Sequence, residues 1–480
     1  MPIATLLSRC ALLLATSMLL GAGPAPEPPR AAMPPPDNQK LAHDIFRDIV
    51  EVRSVHDVGT KAVADILVKY LKAGGFTDSE ISIVPETKYP KQVNVAVRIK
   101  GKGRGKPVMW ICHMDVVDAN KKDWTPGLDP YKFTEKDGHF YGRGTSDMKD
   151  EDAAVAASLI RVKKERYLPD RDIIVLFSAD EEVGLEQDGP NFMVTEKRPL
   201  VDAGLVMNPD GGSGEIKNGK RRDFAVETVQ KTYMTFKMET ANKGGHSSEP
   251  RPDNAIYQLA NGLSEISRFQ FPYKTNATTR AYFQSIAAMS TGQRKVDLLA
   301  LSKEPVDQAA AQRLSADTSI NALLHTTCVA TMLKAGVQEN ALPSSAEATI
   351  QCRVFPGETV EQTRATLAKV AGDPGIKISL LEPVVPARET VPDPKVMGHV
   401  AKVVHEMWGK DIPVMPVMAA GASDSIFTRA AGMPSYGVGG GWWDIDDIRA
   451  HGRDERDEAG NFYQTVEFTY RLMKELSGKD

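Results

Sequence analysis

Short apolar runs that alternate with helical segments constrain the fold of this chain more than any other feature of its sequence. The runs lie at 108–112, 173–177, 205–207 and 436–438, and a helical stretch at 148–164 separates the first two. Strands that alternate with helices usually pair in parallel between helical layers. We therefore expect a three-layer α/β domain around a mainly parallel sheet, with functional residues at the carboxyl ends of its strands.

The length and a change of pattern predict a second domain. A chain of 480 residues exceeds what one hydrophobic core usually supports. Between 224 and 386 the apolar residues alternate with polar ones, as at 232–239 and 346–354, which is typical of half-exposed antiparallel strands. We expect a catalytic domain formed by 37–223 and 387–480, with an inserted α+β domain at 224–386.

The N-terminal residues have the pattern of a secretory leader. Arg9 precedes an apolar run at 11–20 and small residues at 21–23. Because the run is shorter than the roughly 20 residues of a membrane-spanning helix, the pattern favours a cleaved signal peptide at 1–23 over a membrane anchor. A linker rich in proline and alanine follows at 24–36. The prediction is a secreted or periplasmic protein without stable membrane insertion.

The charge of the chain narrows its possible binding partners. The formal net charge is -4 and the chain has no long basic run, so there is no electrostatic reason to expect a nucleic acid partner. Small molecules are the default partners.

After leader removal the cysteines are Cys112, Cys328 and Cys352, which excludes a disulfide scaffold. A hairpin could bring Cys328 and Cys352 opposite each other, and an oxidising compartment would permit one bridge.

Histidines and acids follow the predicted strands or begin the predicted helix. They are His113, Asp115, Asp147, Asp180, Glu181, Glu182, Asp210 and His451. Each has an ordinary explanation alone: a core histidine, a helix N-cap, a solvated strand end or a turn residue. Their repetition after separate strands favours a metal site instead. Imidazole and carboxylate ligands without cysteine suit a pair of zinc ions, with Co²⁺ or Mn²⁺ as substitutes.

A set of motifs in chain order resembles a known family. The motifs are His113-x-Asp115, Gly142-Arg-Gly-x-x-Asp147-Met-Lys149, Asp180-Glu181-Glu182, Asp210, Gly244-Gly-His246-Ser-Ser-x-Pro250, Asn340-Ala-Leu-Pro343, Arg353-x-x-Pro356-Gly357 and His451-Gly-x-x-Glu455. They resemble the di-zinc hydrolases that include glutamate carboxypeptidase, Xaa-His dipeptidases, aminoacylases and succinyl-diaminopimelate desuccinylase. The resemblance covers essentially the whole chain after the leader.

The resemblance implies a role for each site residue. The implied ligands are His113 and Asp210 for one zinc, Glu182 and His451 for the other, and Asp147 as the bridge between them. Asp115 would orient His113, and Glu181 would act as general base toward a metal-activated water. A cis peptide between Asp147 and Met148 is also implied. The smaller domain would be a lid and dimerisation module, so we expect a homodimer in which His246, otherwise a loop residue, stabilises the oxyanion.

The substrate is the least determined part of the prediction. Arg353 is expected to bind the free carboxylate of a substrate with help from Asn340, although a salt bridge to Glu347 or Glu358 is an alternative. In the family, Asp at the position of Asp210 is typical of dipeptidases, which favours a carboxypeptidase or dipeptidase acting on small peptides. An N-acyl amino acid deacylase is the alternative. A catalytically inactive binding protein would lack a ligand or the base, and none is missing here.

Overall fold

The computed structural model describes residues 32–183, 189–419 and 421–479. The predicted signal peptide and residues 24–31 of the predicted linker lie outside the described residues. Residues 32–35 form no regular structure, and the first helix begins at Pro36. Within the described ranges, no helix combines the length and the apolar composition needed to cross a membrane.

The strands, in order along the described chain, are β1 (Ile81–Pro85), β2 (Val93–Ile99), β3 (Val108–His113), β4 (Thr134–Lys136), β5 (His139–Tyr141), β6 (Ile173–Ser178), β7 (Leu205–Asn208), β8 (Gly214–Lys217), β9 (Lys220–Gln230), β10 (Thr232–Ala241), β11 (Gly245–His246), β12 (Thr327–Ala335), β13 (Ala341–Leu342), β14 (Ser345–Val354), β15 (Lys377–Leu380), β16 (Val414–Ala419), β17 (Ser435–Gly437), β18 (Trp442–Asp444) and β19 (Arg456–Glu458).

The helices, in the same order, are α1 (Pro36–Val50), α2 (Lys61–Ala73), α3 (Lys149–Lys164), α4 (Gly189–Glu196), α5 (Arg198–Val201), α6 (Ala255–Arg268), α7 (Ala277–Ala288), α8 (Gly292–Leu301), α9 (Gln308–Leu314), α10 (Thr318–Leu324), α11 (Val360–Ala371), α12 (Pro394–Trp408), α13 (Ser425–Ala430) and α14 (Ala459–Ser477).

A large sheet forms the centre of the molecule. Its order is β1-β2-β6-β3-β7-β17-β9-β8-β18, with β16 beside β9. The neighbours β6, β3, β7 and β17 pair in parallel. Because helices cover both faces, β3 and β6 are buried along their whole length, which explains why their sequences are continuous apolar runs.

Alternate residues of β3 show the two covered faces. Trp110 packs in a core with Phe46 of α1 and Phe462 of α14, whereas Ile111 packs in a separate core with Met193 of α4. The molecule therefore has a helical layer on each side of a mainly parallel sheet. This confirms the predicted fold class.

A second, antiparallel sheet has the order β12-β14-β10-β15. Residues of β10 and β14 are alternately buried and partly exposed, because only one face is covered, by α6 and α11. The sheets meet in sequence at Lys231, between β9 of the large sheet and β10 of the second one. The position predicted to start the inserted domain, 224, falls inside β9.

A disulfide joins Cys328 on β12 to Cys352 on β14, and the two residues are direct partners in the antiparallel register. Their Cα atoms are 4.1 Å apart. The disulfide, which the sequence permitted but did not require, is therefore present. It connects the edge strand β12 to the neighbour that also carries Arg353.

Candidate metal centre and active site

The site lies at the carboxyl edge of the large sheet. His113 is the last residue of β3, the acids 180–182 follow β6, and Asp210 follows β7. Since these three strands are parallel neighbours, their carboxyl ends meet at one edge. Asp147 and His451 come from loops outside the strands, Asp147 two residues before α3 and His451 between β18 and β19.

Asp147 lies between the two histidines. Its Oδ1 is 3.2 Å from His113 Nε2, and its Oδ2 is 3.1 Å from His451 Nε2. His451 Nε2 is also 3.0 Å from Glu182 Oε1. Ligand atoms of His113, Asp147 and Glu182 all lie within 4.8 Å of one another. The peptide between Asp147 and Met148 is cis, as predicted.

The protonation of His113 can be assigned from its contacts. Its Nδ1 lies 3.1 Å from the backbone oxygen of Asp115, and a carbonyl oxygen only accepts, so Nδ1 carries the proton. The buried Nε2, which lies 3.2 Å from Asp147 Oδ1, is then the nitrogen that can bind a metal. A buried imidazole nitrogen in this state fits a metal ligand, because the hydrogen bond at the other nitrogen selects the tautomer.

Asp115 acts on two elements at once. Its backbone oxygen contacts His113, and its carboxylate, whose Oδ1 is 3.7 Å from His113 Nδ1, accepts the backbone N–H groups of Glu181 and Glu182 at 3.1 and 3.0 Å. The predicted orientation of His113 is thus made mainly through the backbone of Asp115. Its carboxylate instead positions the turn that carries the predicted base and a predicted ligand.

The electrostatics of the cluster favour a cation. Burial raises the pKa of Asp115 to about 6. Burial, together with the charge of Asp210, raises the pKa of Glu181 well above its ordinary value. Burial does the same for Asp210, on which the charge of Asp147 also acts. A divalent cation among these groups would compensate their mutual repulsion and favour their charged forms. The donor set therefore fits a bound metal.

Three polar residues, Glu455, Asp424 and His56, support the site although the sequence assigned them no role. Glu455 accepts the backbone N–H of Gly144 and Ser146 and pairs with Arg143 at 2.5 Å, which connects the loops of Asp147 and His451. In the sequence, a role for Glu455 could have been inferred because this residue ends the motif that begins at His451. Asp424, which accepts the Ser178 hydroxyl at 2.9 Å, follows β16 and could have been found by the same strand-end rule.

His56 had no such signal. It lies in the loop after α1, and its Nδ1 is 2.9 Å from Asp180 Oδ2. Asp180 has a φ of 59°, in the left-handed region, directly before the predicted base. The contact between His56 and Asp180 joins residues 124 positions apart in the chain, so no local pattern could predict it.

A pocket of about 420 Å³ adjoins the cluster. Its lining residues are Glu181, Glu182, Val183, Tyr233, Thr235, Arg353, Glu382, Pro383, Val384, Ala422, Ser423, Ile426 and Phe427. The guanidinium of Arg353 lies 4.7 Å from the centre of the Tyr233 ring. Glu358, one alternative partner for Arg353, accepts from Lys274 and from the Thr326 hydroxyl.

His246 and Asn340 come together at another place. His246 of β11 is the register partner of Ala341 in β13, and Ser247 donates its backbone N–H to the Asn340 oxygen at 3.2 Å. Both residues are exposed. The hydrogen bonds that described residues form with them stay within this strand pair and its flanking turn. The structure thus brings His246 and Asn340 together, but not into the cluster.

A mainly parallel α/β sheet with a cluster of histidines and carboxylates at its carboxyl edge, partly open to solvent, is an arrangement suited to a metal-dependent hydrolase. Residues 109–475 match the model of Peptidase family M20/M25/M40, and the chain belongs to this family. This confirms the family resemblance and the prediction of a metal-dependent enzyme.

Known proteins of related sequence and fold support this family assignment. The human N-fatty-acyl-amino acid synthase/hydrolase PM20D1 is 24% identical over 375 residues, which are 77% of this chain and 74% of that protein. The crystal structure of an M20 family metallo-carboxypeptidase from Sulfolobus solfataricus has a TM-score of 0.68 at 17% identity, covering 90% of this chain and 98% of that one.

A dinuclear metal binding peptidase of the M20 family from Bacillus subtilis has a TM-score of 0.56 at 12% identity, covering 92% of this chain and 98% of that one. At these identities the two crystal structures establish the shared fold.

Proposed function

We propose that this protein is a zinc-dependent enzyme that hydrolyses the amide bond of small peptides bearing a free carboxylate, as a carboxypeptidase or dipeptidase. The observation that carries the proposal is the position of Asp147 between His113 and His451, with Glu182 in contact with His451. This arrangement supports two groups of ligands that would share the carboxylate of Asp147. Imidazole and carboxylate donors without thiolate suit zinc.

In this proposal two zinc ions are bound by the residues of the cluster. His113 and Asp210 would hold one, Glu182 and His451 would hold the other, and Asp147 would be shared between them. Zinc held there would supply Lewis acidity toward the scissile carbonyl and a lower pKa for the attacking water molecule.

Glu181 is the proton-transfer group. It lines the pocket, its backbone is held by Asp115, and its pKa is raised by burial. A raised pKa suits a carboxylate that accepts a proton from the attacking water and then donates it to the leaving amine.

Arg353 binds the free carboxylate of the substrate, and the metal cluster binds the amide that is cleaved. Arg353 lines the same pocket as Glu181 and Glu182, so a substrate whose amide lies at the cluster can extend its free carboxylate to the guanidinium. The planar guanidinium is suited to bidentate carboxylate binding. Asn340 and His246 would complete the site from a lid that closes or from a second subunit.

A homodimer is part of the proposal because the edge strand β12 offers a surface for it. Its side chains Val329, Met332 and Leu333 are exposed. Exposed apolar side chains on an edge strand are unfavourable in a monomer and typical of an interface.

The disulfide between Cys328 and Cys352 supports a secreted or periplasmic location, because such bonds persist in oxidising compartments.

Deacylation of N-acyl amino acids is a second candidate. The similarity to a human N-fatty-acyl-amino acid synthase/hydrolase over 77% of this chain favours it. Such substrates also have a free carboxylate beside the amide bond, so Arg353 would serve either reaction.

The test compares zinc-loaded enzyme on free-acid dipeptides, their C-terminal amides and N-acyl amino acids. We expect the amides to be poor substrates, and Arg353→Ala to raise KM for the free acids with little further effect on the amides. Arg364→Ala, at a partly exposed arginine on α11 that pairs with Glu361, is the matched control. Equal hydrolysis of free acids and amides would contradict the proposal, and faster hydrolysis of N-acyl amino acids would favour the second candidate.

A further inference from the structure

The pocket beside the cluster contains residues that the reaction itself does not use. Beyond Glu181, Glu182 and Arg353, one part of its lining is apolar and consists of Pro383, Val384, Ile426 and Phe427, which we call the apolar wall. One further charged residue, Glu382, precedes this wall in sequence and lines the same space. These residues and Arg353 line one pocket, so a substrate carboxylate held by Arg353 would have its own side chain within reach of them.

We propose that the apolar wall and Glu382 determine specificity, so that the residue carrying the free carboxylate has an apolar side chain and acidic side chains are excluded. This inference rests on the proposed function, because it takes Arg353 as the site of the free carboxylate. The inference extends that function by naming the kind of substrate side chain that the pocket accepts.

The wall is built to keep its shape. Ile426 and Phe427 belong to α13, are buried, and pack with Ala387 in a small core of their own. Only part of each side chain borders the pocket, and the rest is fixed by this core. Pro383 and Val384 come from the segment after β15 and are more exposed. The α13 residues therefore form the fixed part of the wall. An apolar surface discriminates by contact area, and one methylene in such a pocket changes rates roughly 10- to 200-fold.

Glu382 supplies the discrimination against acids. It is exposed and lines the same pocket as Arg353. When Arg353 pairs with the substrate carboxylate, a second carboxylate on the substrate side chain has Glu382 as a neighbour of like charge. A like charge placed against one class of substrate lowers the rate for that class selectively.

The experiment measures kcat/KM of zinc-loaded enzyme for a series Gly-X, where X is Gly, Leu, Phe, Lys, Asp or Glu. For wild type we expect Leu and Phe to exceed Gly and the acids by at least about tenfold. Val384→Ser should lower the ratio of Leu to Gly. Glu382→Gln should lower the ratio of Leu to Glu, whereas Glu361→Gln, the same change at an exposed site on α11, should keep the wild-type ratio.

The outcomes separate the two levels of the proposal. Hydrolysis of the whole series at similar rates, or a Leu to Glu ratio that Glu382→Gln leaves unchanged, overturns the specificity inference and leaves the proposed function standing. A preference for Lys over Leu also overturns it, because Glu382 would then attract a cation rather than exclude an anion. Failure to hydrolyse any member of the series overturns the proposed function itself.

Discussion

The carboxyl edge of the large sheet and the β11–β13 pair both carry residues predicted to act on the substrate, but the two regions are built differently. At the sheet edge, His113 and Asp115 are buried and joined by hydrogen bonds to the neighbouring turn. In the β11–β13 pair, His246 and Asn340 are exposed, and their hydrogen bonds remain local.

The difference indicates two kinds of preparation for catalysis. The sheet edge brings its predicted ligands close together within a single chain, because parallel strand pairing determines where β3, β6 and β7 end relative to one another. To act as predicted, the β11–β13 pair would need a movement of the second domain or a second copy of the chain. The following predictions use variants that should affect one region and not the other.

The largest effect is expected from Glu181→Gln. The amide keeps the shape of the side chain but cannot accept the proton of water, so turnover should fall by about 10²- to 10⁴-fold. Metal content should remain as in wild type, since Glu181 is not a predicted ligand. Near-normal turnover would remove Glu181 from the mechanism. Glu265→Gln, at an exposed acid on α6, is the control and should retain full activity.

His246→Ala should lower turnover by about 10²- to 10³-fold, the range for loss of one oxyanion donor. Bound metal should be unchanged, because His246 lies outside the cluster. Coexpression of His246→Ala and Glu181→Gln subunits distinguishes the two ways of completing the site. Recovery of activity in the mixture would show that His246 acts from the partner subunit, whereas no recovery would favour closure within one chain.

Asp115→Ala should weaken metal binding by about 10- to 100-fold, as expected for a residue that positions ligands. The physical reason is the loss of two backbone hydrogen bonds at Glu181 and Glu182. Zinc titration measures the effect. Asn340→Ala, in the other region, should bind zinc as wild type does, and equal weakening in both variants would break the distinction between the regions.

The smallest effect on turnover is expected from joint replacement of Cys328 and Cys352 by serine. The bridge lies in the second sheet, so zinc binding should be retained. The free energy of unfolding should fall by about 2 to 4 kcal/mol, because the bridge restricts the unfolded chain. Denaturant unfolding measures this loss. A loss of bound zinc would show that the second sheet supports the metal centre.

The metal-binding edge could be predicted for a clear reason. A residue that follows a buried parallel strand has few places to lie, so His113, the acids 180–182 and Asp210 were expected to converge from periodicity alone. Asp147 and His451 belong to loops, and their roles followed from the family motifs. Asp424 also follows a strand, β16, and was missed because the strand itself was not recognised in the sequence.

Periodicity and motif order determined the class of fold, the family and the identity of the candidate ligands, because these depend on residue type and spacing along the chain. Tertiary structure alone decided the tautomer of His113, the second role of Asp115 and the contact of His56 with Asp180. Each of these depends on atoms that meet across separate elements. Their distances follow from packing, which no local pattern of sequence contains.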